Sequence, residues 1–212
     1  MGGCFITDHE QTTMTETLDR RVRRSRRLLA DALLELIVEK GYDAVTVQEI
    51  ADRADLNRAT FYLHFDGKED LLVAGLEERF DELVSTMNQV SAAEPVWENP
   101  AHDLLLFRHV AENAAVYKAL IGDRGLGWVM HRVIGYIARE VERELAQDMP
   151  PGMRVAAPLP VVAHFTAGAL FGLIAWWLAN DLPYSPEEMA RIADRLCVRG
   201  VLGVLEGGGV PD

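Results

Sequence analysis

Thr46-Val-Gln-Glu-Ile-Ala-Asp-Arg-Ala-Asp-Leu-Asn-Arg-Ala-Thr-Phe-Tyr-Leu-His-Phe-Asp-Gly-Lys-Glu-Asp-Leu-Leu72 reads as two short helices, a tight turn between them, and the start of a third. Thr46-x-x-Glu49 is a capping box, in which the hydroxyl takes the third amide and the carboxylate reaches back. Ala54-Asp55-Leu56 is the turn, with Asp55 as the residue that tolerates left-handed backbone. Asn57 caps the next helix, Arg58 to His64, and Asp66-Gly67 breaks the chain again. That second short helix offers small, polar and aromatic side chains instead of a plain apolar face. This is the layout of a helix-turn-helix whose second helix enters the DNA major groove.

The flanks carry the same helical pattern. Upstream, Arg20 to Lys40 keeps helical spacing through Leu28, Leu29, Ala32, Leu33, Leu36 and Ile37, and Gly41 stops it. Downstream, Lys68 to Val90 is one long helix with Leu72, Leu76, Phe80, Leu83, Met87 and Val90 on one stripe. Residues 92–100 form a linker with two prolines. Further helices are expected at His102–Ile121 in one or two pieces, Leu126–Gln147, Pro160–Asn180 and Ser185 to about Leu205. The fold class is all-α, about nine helices with no strand signal. The organisation is a disordered tail (1–18), a three-helix head (19–67), a helical effector-binding and dimerisation body (68–206) and a frayed end (207–212).

Charge separates the parts. The chain of 212 residues has a formal net charge of −12, yet Arg20–Lys68 holds 10 Lys and Arg against 8 Asp and Glu. A slightly basic head on an acidic body suits contact with phosphate at one end only. Six arginines, at 20, 21, 23, 24, 26 and 27, crowd the start of the first helix. They oppose its dipole there, and phosphate contact, with Arg24 and Arg27 as the named candidates, accounts for that cost. Thr46 and Lys68, each at a helix start, are further phosphate candidates. Cys4 and Cys197 lie far apart, and no apolar leader precedes the head, so a reducing cytoplasm is expected. Leu159 to Ala179 lacks Asp, Glu, Lys and Arg and is long enough to span a bilayer. Its small residues, and the absence of a flanking basic cluster, favour a buried interface helix and no membrane.

Thr46–Ala54, Ala59-Thr-Phe-Tyr-Leu-His-Phe65 and Lys68-Glu-Asp-Leu-Leu72 resemble, in order and spacing, the signature of the TetR family of bacterial regulators. The resemblance covers roughly residues 20–72 and departs at Asp55, where the family commonly has glycine. It implies an all-helical homodimer that binds a double-stranded DNA operator. It places base contacts near Arg58, Ala59 and Thr60, with Tyr62 and His64 against phosphates. Phe165–Leu178 and Leu182–Met189 resemble the C-terminal segment of one subgroup, whose last two long helices make the dimer interface. Phe165, Gly168, Gly172, Trp176, Met189 and Leu196 are the interface residues expected on that basis. A small-molecule effector of unknown identity is implied within the body, and His102, Phe107, His109, Trp128, His131 and Phe171 are the pocket candidates.

Other classes find little support in the residues. No Ser–His–Asp set, Gly-rich phosphate loop or cysteine nucleophile stands out, and no His/acid grouping has metal spacing, so neither an enzyme, a metal nor a cofactor is expected. The reading is a sequence-specific transcriptional repressor released by its effector. A transcriptional activator, or a ligand-independent DNA binder of the same fold, is the alternative.

Overall fold

The computed structural model describes residues 8–90, 100–121, 127–148 and 157–198. Nine α-helices occur among them: α1 (Asp8–Lys40), α2 (Val47–Arg53), α3 (Arg58–His64), α4 (Lys68–Val90), α5 (Pro100–Glu112), α6 (Ala114–Ile121), α7 (Gly127–Asp148), α8 (Leu159–Ala179) and α9 (Pro186–Ala193). A 3-10 turn, Tyr42–Ala44, links α1 to α2, and a π turn, Asp194–Val198, follows α9. No strand occurs among the described residues. The chain packs as two units, Met1–Leu76 and Glu77–Asp212.

The first unit is built on α1. Leu29, Leu33 and Ile37 are fully buried, with Ile50 and Ala51 of α2, Phe61 of α3, and Leu71 and Leu72 of α4. Gly41, at φ +80°, ends α1, and its N–H donates to the Ile37 carbonyl at 2.9 Å. The Thr46–Glu49 capping box forms in both directions. After α2, Asp55 sits at φ +54°. The Leu56 N–H reaches back to the Ala51 carbonyl (2.9 Å) and the Asp55 N–H to Asp52 (3.1 Å). That paired closure is a Schellman motif, with aspartate where glycine is usual. Asn57 Oδ1 then accepts the Thr60 N–H at 2.7 Å and starts α3.

Two expectations are corrected here. Residues 8–18, expected in a disordered tail, belong to α1. Apolar periodicity reports burial, so a polar extension of a helix leaves no such signal, and no Gly or Pro interrupts 8–40. The unit boundary falls after Leu76, inside α4, and not at 67, because the first turns of α4 pack into the head. The linker at 92–99, the end of the last helix beyond Val198, residues 1–7 and the tail 207–212 lie outside the described residues.

Gly75 marks a close approach. A methyl group there would stand 2.8 Å from Ala30 Cβ on α1. Gly75→Ala gains about 1 kcal/mol of helix propensity. Against that, overpacking two rigid methyl groups costs about 1–3 kcal/mol. The expected outcome is a net loss near 1 kcal/mol in a denaturant titration; a raised midpoint would show that α1 and α4 separate freely.

In the second unit α5 packs on α9 and α7 on α8. One core gathers Phe107, Val110, Leu170, Ile174, Trp177, Leu178, Met189, Ala190 and Ala193. Trp177 stacks edge-on against Phe107 at 5.5 Å and donates its ring N–H to the Tyr184 carbonyl at 2.9 Å. Ala138 of α7 and Ala163 and Ala167 of α8, all with no exposed surface, let those two helices approach closely. Ser185 and Glu188 form a second capping box, with Pro186 in the first turn of α9. Along α8, Val162, Ala163, Ala167, Leu170, Ile174 and Trp177 face inward. Val161, Phe165, Gly168, Gly172 and Trp176 face out, and nothing lies within 4 Å of where a methyl on either glycine would sit. Among the described residues α8 is long and apolar enough to cross a membrane, and its inward face is buried inside the protein.

Candidate nucleic-acid interface

The register of α3 sorts its seven residues. Phe61 and, just past the helix, Phe65 point into the head, their rings 5.9 Å apart. Arg58, Ala59, Tyr62 and Leu63 are exposed, and Thr60 and His64 are half-buried. Arg58 is already ordered along the helix: its Nη2 donates to the Tyr62 hydroxyl at 3.2 Å, and its guanidinium lies 5.4 Å from that ring. A guanidinium held in this way has less rotamer freedom to lose on binding. Thr60 donates its hydroxyl proton to Asn57 Oδ1 at 3.0 Å, so towards DNA it offers lone pairs and a methyl.

The other head cations differ in their surroundings. Arg20, Arg21, Arg23, Arg24 and Arg27 are exposed on α1. Arg26 is half-buried, with Nη1 donating to the His64 carbonyl at 3.3 Å and its guanidinium 4.5 Å from the Phe65 ring. It therefore caps the C-terminal end of α3, where a cation also suits the helix dipole. Arg53 is paired with Glu35 and Glu39, and Lys40 with Glu49. Lys40 and the Thr46 hydroxyl and amide hold the Glu49 carboxyl at about 2, well below the ordinary range.

Two phosphate candidates turn out to be spoken for inside the head. The Lys68 ammonium donates to the carbonyls of Tyr42 (2.9 Å), Val45 (3.0 Å) and Asp43 (3.3 Å), and sits 4.4 Å from the Tyr42 ring. All three of its N–H bonds have acceptors, so this side chain braces the α1–α2 connection instead of meeting phosphate. Thr46 donates its hydroxyl proton to Glu49 at 2.7 Å, so a phosphate contact there would open the capping box.

These positions predict a contrast. Arg24→Ala should weaken specific and non-specific DNA binding alike, by a few fold, and reduce the slope of log affinity against log salt by about 1. Arg26→Ala should weaken specific binding with the slope unchanged, because its charge already serves the protein. Fluorescence anisotropy over a salt series measures both, and a reduced slope for Arg26→Ala would contradict its assignment.

The six body candidates differ in their surroundings. Phe107 has no exposed surface and fills the closed core against Trp177, Phe171 is buried, and His131 faces solvent. His102 is buried, and Trp128 half-buried. His109 Nε2 pairs with the Tyr117 hydroxyl at 2.9 Å, and burial together with Arg79 lowers its pKa. A groove of about 440 Å³ between α4 and α7 is lined by Asp81, Ser85, Tyr136, Glu140 and their neighbours, and by none of the six. Two pairs are anchored within it, the Tyr136 hydroxyl donating to Asp81 at 2.6 Å and the Arg143 guanidinium donating to Glu140, and the first has no counterpart in a periodicity pattern. Of the expected interface set, Phe165, Gly168, Gly172, Trp176 and Leu196 are exposed. Met189, 1% exposed, is core and not interface, because Ser185 starts α9 with that side turned onto α5 and α8.

A short helix-turn-helix with a basic flank, carried by a separate helical body, defines a DNA-binding transcriptional regulator. Residues 29–74 match the bacterial regulatory proteins of the tetR family, and residues 102–198 match a transcriptional regulator C-terminal region. The fatty acid metabolism regulator protein of Bacillus subtilis is 34% identical over 189 residues, 82% of this chain and 93% of that protein. The HTH-type transcriptional activator FasR of Mycolicibacterium smegmatis is 33% identical over 190 residues, 81% of this chain and 79% of FasR. An uncharacterized HTH-type regulator of Bacillus subtilis, YxbF, is 25% identical over 82% of this chain, which spans 44% of its length. Among solved structures, the fatty acid degradation regulator FadR from Bacillus halodurans superposes with a TM-score of 0.65 at 20% identity, covering 84% of this chain and 96% of that one. FadR from Bacillus subtilis in complex with stearoyl-CoA gives 0.59 at 20% identity, covering 82% and 98%. The chain belongs to the TetR family, and it is a regulator and not an enzyme.

Proposed function

We propose that the protein acts in the cytoplasm as a homodimeric repressor of a near-palindromic operator, released when a small-molecule effector binds its body. The observation that carries the dimer is the outward face of α8. Val161 and Phe165 are more than half exposed and Trp176 nearly half, and Gly168 and Gly172 between them leave room for a second helix. An exposed apolar stripe of that kind marks an interface. Two copies paired there present two heads to one inverted repeat, with half-sites about 34–36 Å or a multiple apart. Within each head, Arg58, Ala59 and Thr60 read bases, while Tyr62, His64, Arg24 and Arg27 position the helix on phosphates.

Release needs an effector that binds the free conformer more tightly than the DNA-bound one. α4 is the natural lever: Leu71 and Leu72 belong to the head core, and later Phe80 stacks on Tyr136 of α7 at 5.5 Å. The likeness to a regulator solved with stearoyl-CoA supports an effector in the body. The activator reading keeps the same parts and has its own support, since FasR, 33% identical, is named an activator.

Gly172→Arg tests the dimer. A long cation in the middle of the stripe should give monomers in sedimentation velocity, with the head still folded and operator affinity lowered at least tenfold. A dimer of unchanged stability would place the interface elsewhere.

A further inference from the structure

The face of α3 turned furthest from the head is apolar. At about 100° per residue, Ala59 and Leu63 lie nearly opposite Phe61 and Phe65. Arg58 and Tyr62 form one flank of that ridge, and Thr60 and His64 the other. Burial follows the same division: Phe61 is fully buried, whereas Leu63 is 77% exposed, more than any other large apolar side chain described. The ridge is therefore two apolar side chains between two flanks able to hydrogen-bond. On a surface helix this is the reverse of the usual arrangement, where the outermost line is the most polar. Among the described residues of the head, Leu63 is not part of the buried core.

We infer that Ala59 and Leu63 are a reader of thymine, with the Leu63 side chain packed on a thymine 5-methyl group in the major groove of each half-site. The inference rests on α3 being the recognition helix. The outermost ridge of such a helix reaches deepest into the groove, where base edges are exposed. Every other group displayed there is a hydrogen-bond donor or acceptor; the thymine methyl is the apolar one, and an apolar side chain is its partner. Guanine or cytosine opposite Leu63 leaves a donor or acceptor desolvated and unpaired, so the leucine also rejects the wrong pair. The flanks fit this placement. Arg58, drawn back along the helix to Tyr62, stands beside the ridge, where it reaches a neighbouring base or the groove wall. The ridge fixes which step is read as T·A, and the polar flanks fix register.

The test removes one methyl group at a time. Duplexes carrying the preferred operator are made with deoxyuridine in place of each thymine in a half-site, which deletes the 5-methyl and nothing else. Each is titrated with full-length wild-type protein and with Leu63→Ala. Wild type should lose about three- to tenfold in affinity at one position per half-site, the equivalent of burying roughly one carbon group. Leu63→Ala should show no further loss at that position and the usual loss elsewhere. Since Leu63 is exposed, the variant keeps the wild-type melting temperature, which a circular dichroism melt verifies. Equal sensitivity of the two proteins at every thymine, or no thymine at which the methyl matters, would overturn the proposal. The failures are distinguishable: without any preferred operator the regulator's α3 reading itself fails, whereas a preferred operator with no methyl coupled to Leu63 removes only this role.

Discussion

Phe61→Ala should destabilise the head by about 3–5 kcal/mol, the usual cost of emptying an aromatic core position. Phe61 has no exposed surface and is the side chain by which the seven-residue α3 is held. Its ring touches Tyr62 edge-on at 5.3 Å and lies 5.9 Å from Phe65. A helix of two turns has little stability of its own, so its fate depends on that packing. Against a total domain stability of about 5–15 kcal/mol, the loss is enough to leave the recognition helix unfolded in a large fraction of molecules. Thermal melts should show an early transition for the head, and operator binding should fall with it. A head that melts at the wild-type temperature would contradict the placement of Phe61. Leu63→Ala, two residues away on the opposite side, should leave the melt unchanged; the pair separates packing from contact within one helix.

Arg58→Ala should lower operator affinity by about 1–3 kcal/mol, roughly 5- to 150-fold, while non-specific binding falls much less. The guanidinium is exposed and pre-aligned on Tyr62, so its removal costs the fold nothing and the complex a directed contact. Tolerance should widen at one base pair per half-site, which selection with the variant would reveal. If specific and non-specific binding fall equally, Arg58 is a phosphate contact, and base reading passes to Ala59, Thr60 and Leu63.

Local chemistry made the head legible. Thr46 and Glu49, Asp55, Asn57 and Gly41 each act on their immediate neighbours, so the caps, the left-handed turn and the helix limits follow from sequence alone. What sequence reading missed depends on contacts between distant residues. Lys68 and Arg26 look like two more basic residues at a DNA face. Only packing shows that one serves carbonyls 23 to 26 residues away and the other a carbonyl 38 residues away. Met189 follows a capping box that is plain in the sequence, yet which side of so short a helix faces the core is decided by α5 and α8. The aromatic and histidine stripes of the body mark burial at Phe107 and Phe171. Burial on its own carries no sign of whether a ligand or another side chain fills the space. Leu63 was visible as a letter, but its significance comes from standing exposed opposite Phe61.

The most direct test of the regulator account is selection of bound sites from a random duplex DNA library, using purified full-length protein at near-physiological salt. The account predicts an enriched inverted repeat with half-sites one helical turn or a multiple apart, as two paired heads require. No enrichment, with binding that disappears as salt rises, would contradict it and leave only the attraction of the arginine cluster of α1 for phosphate.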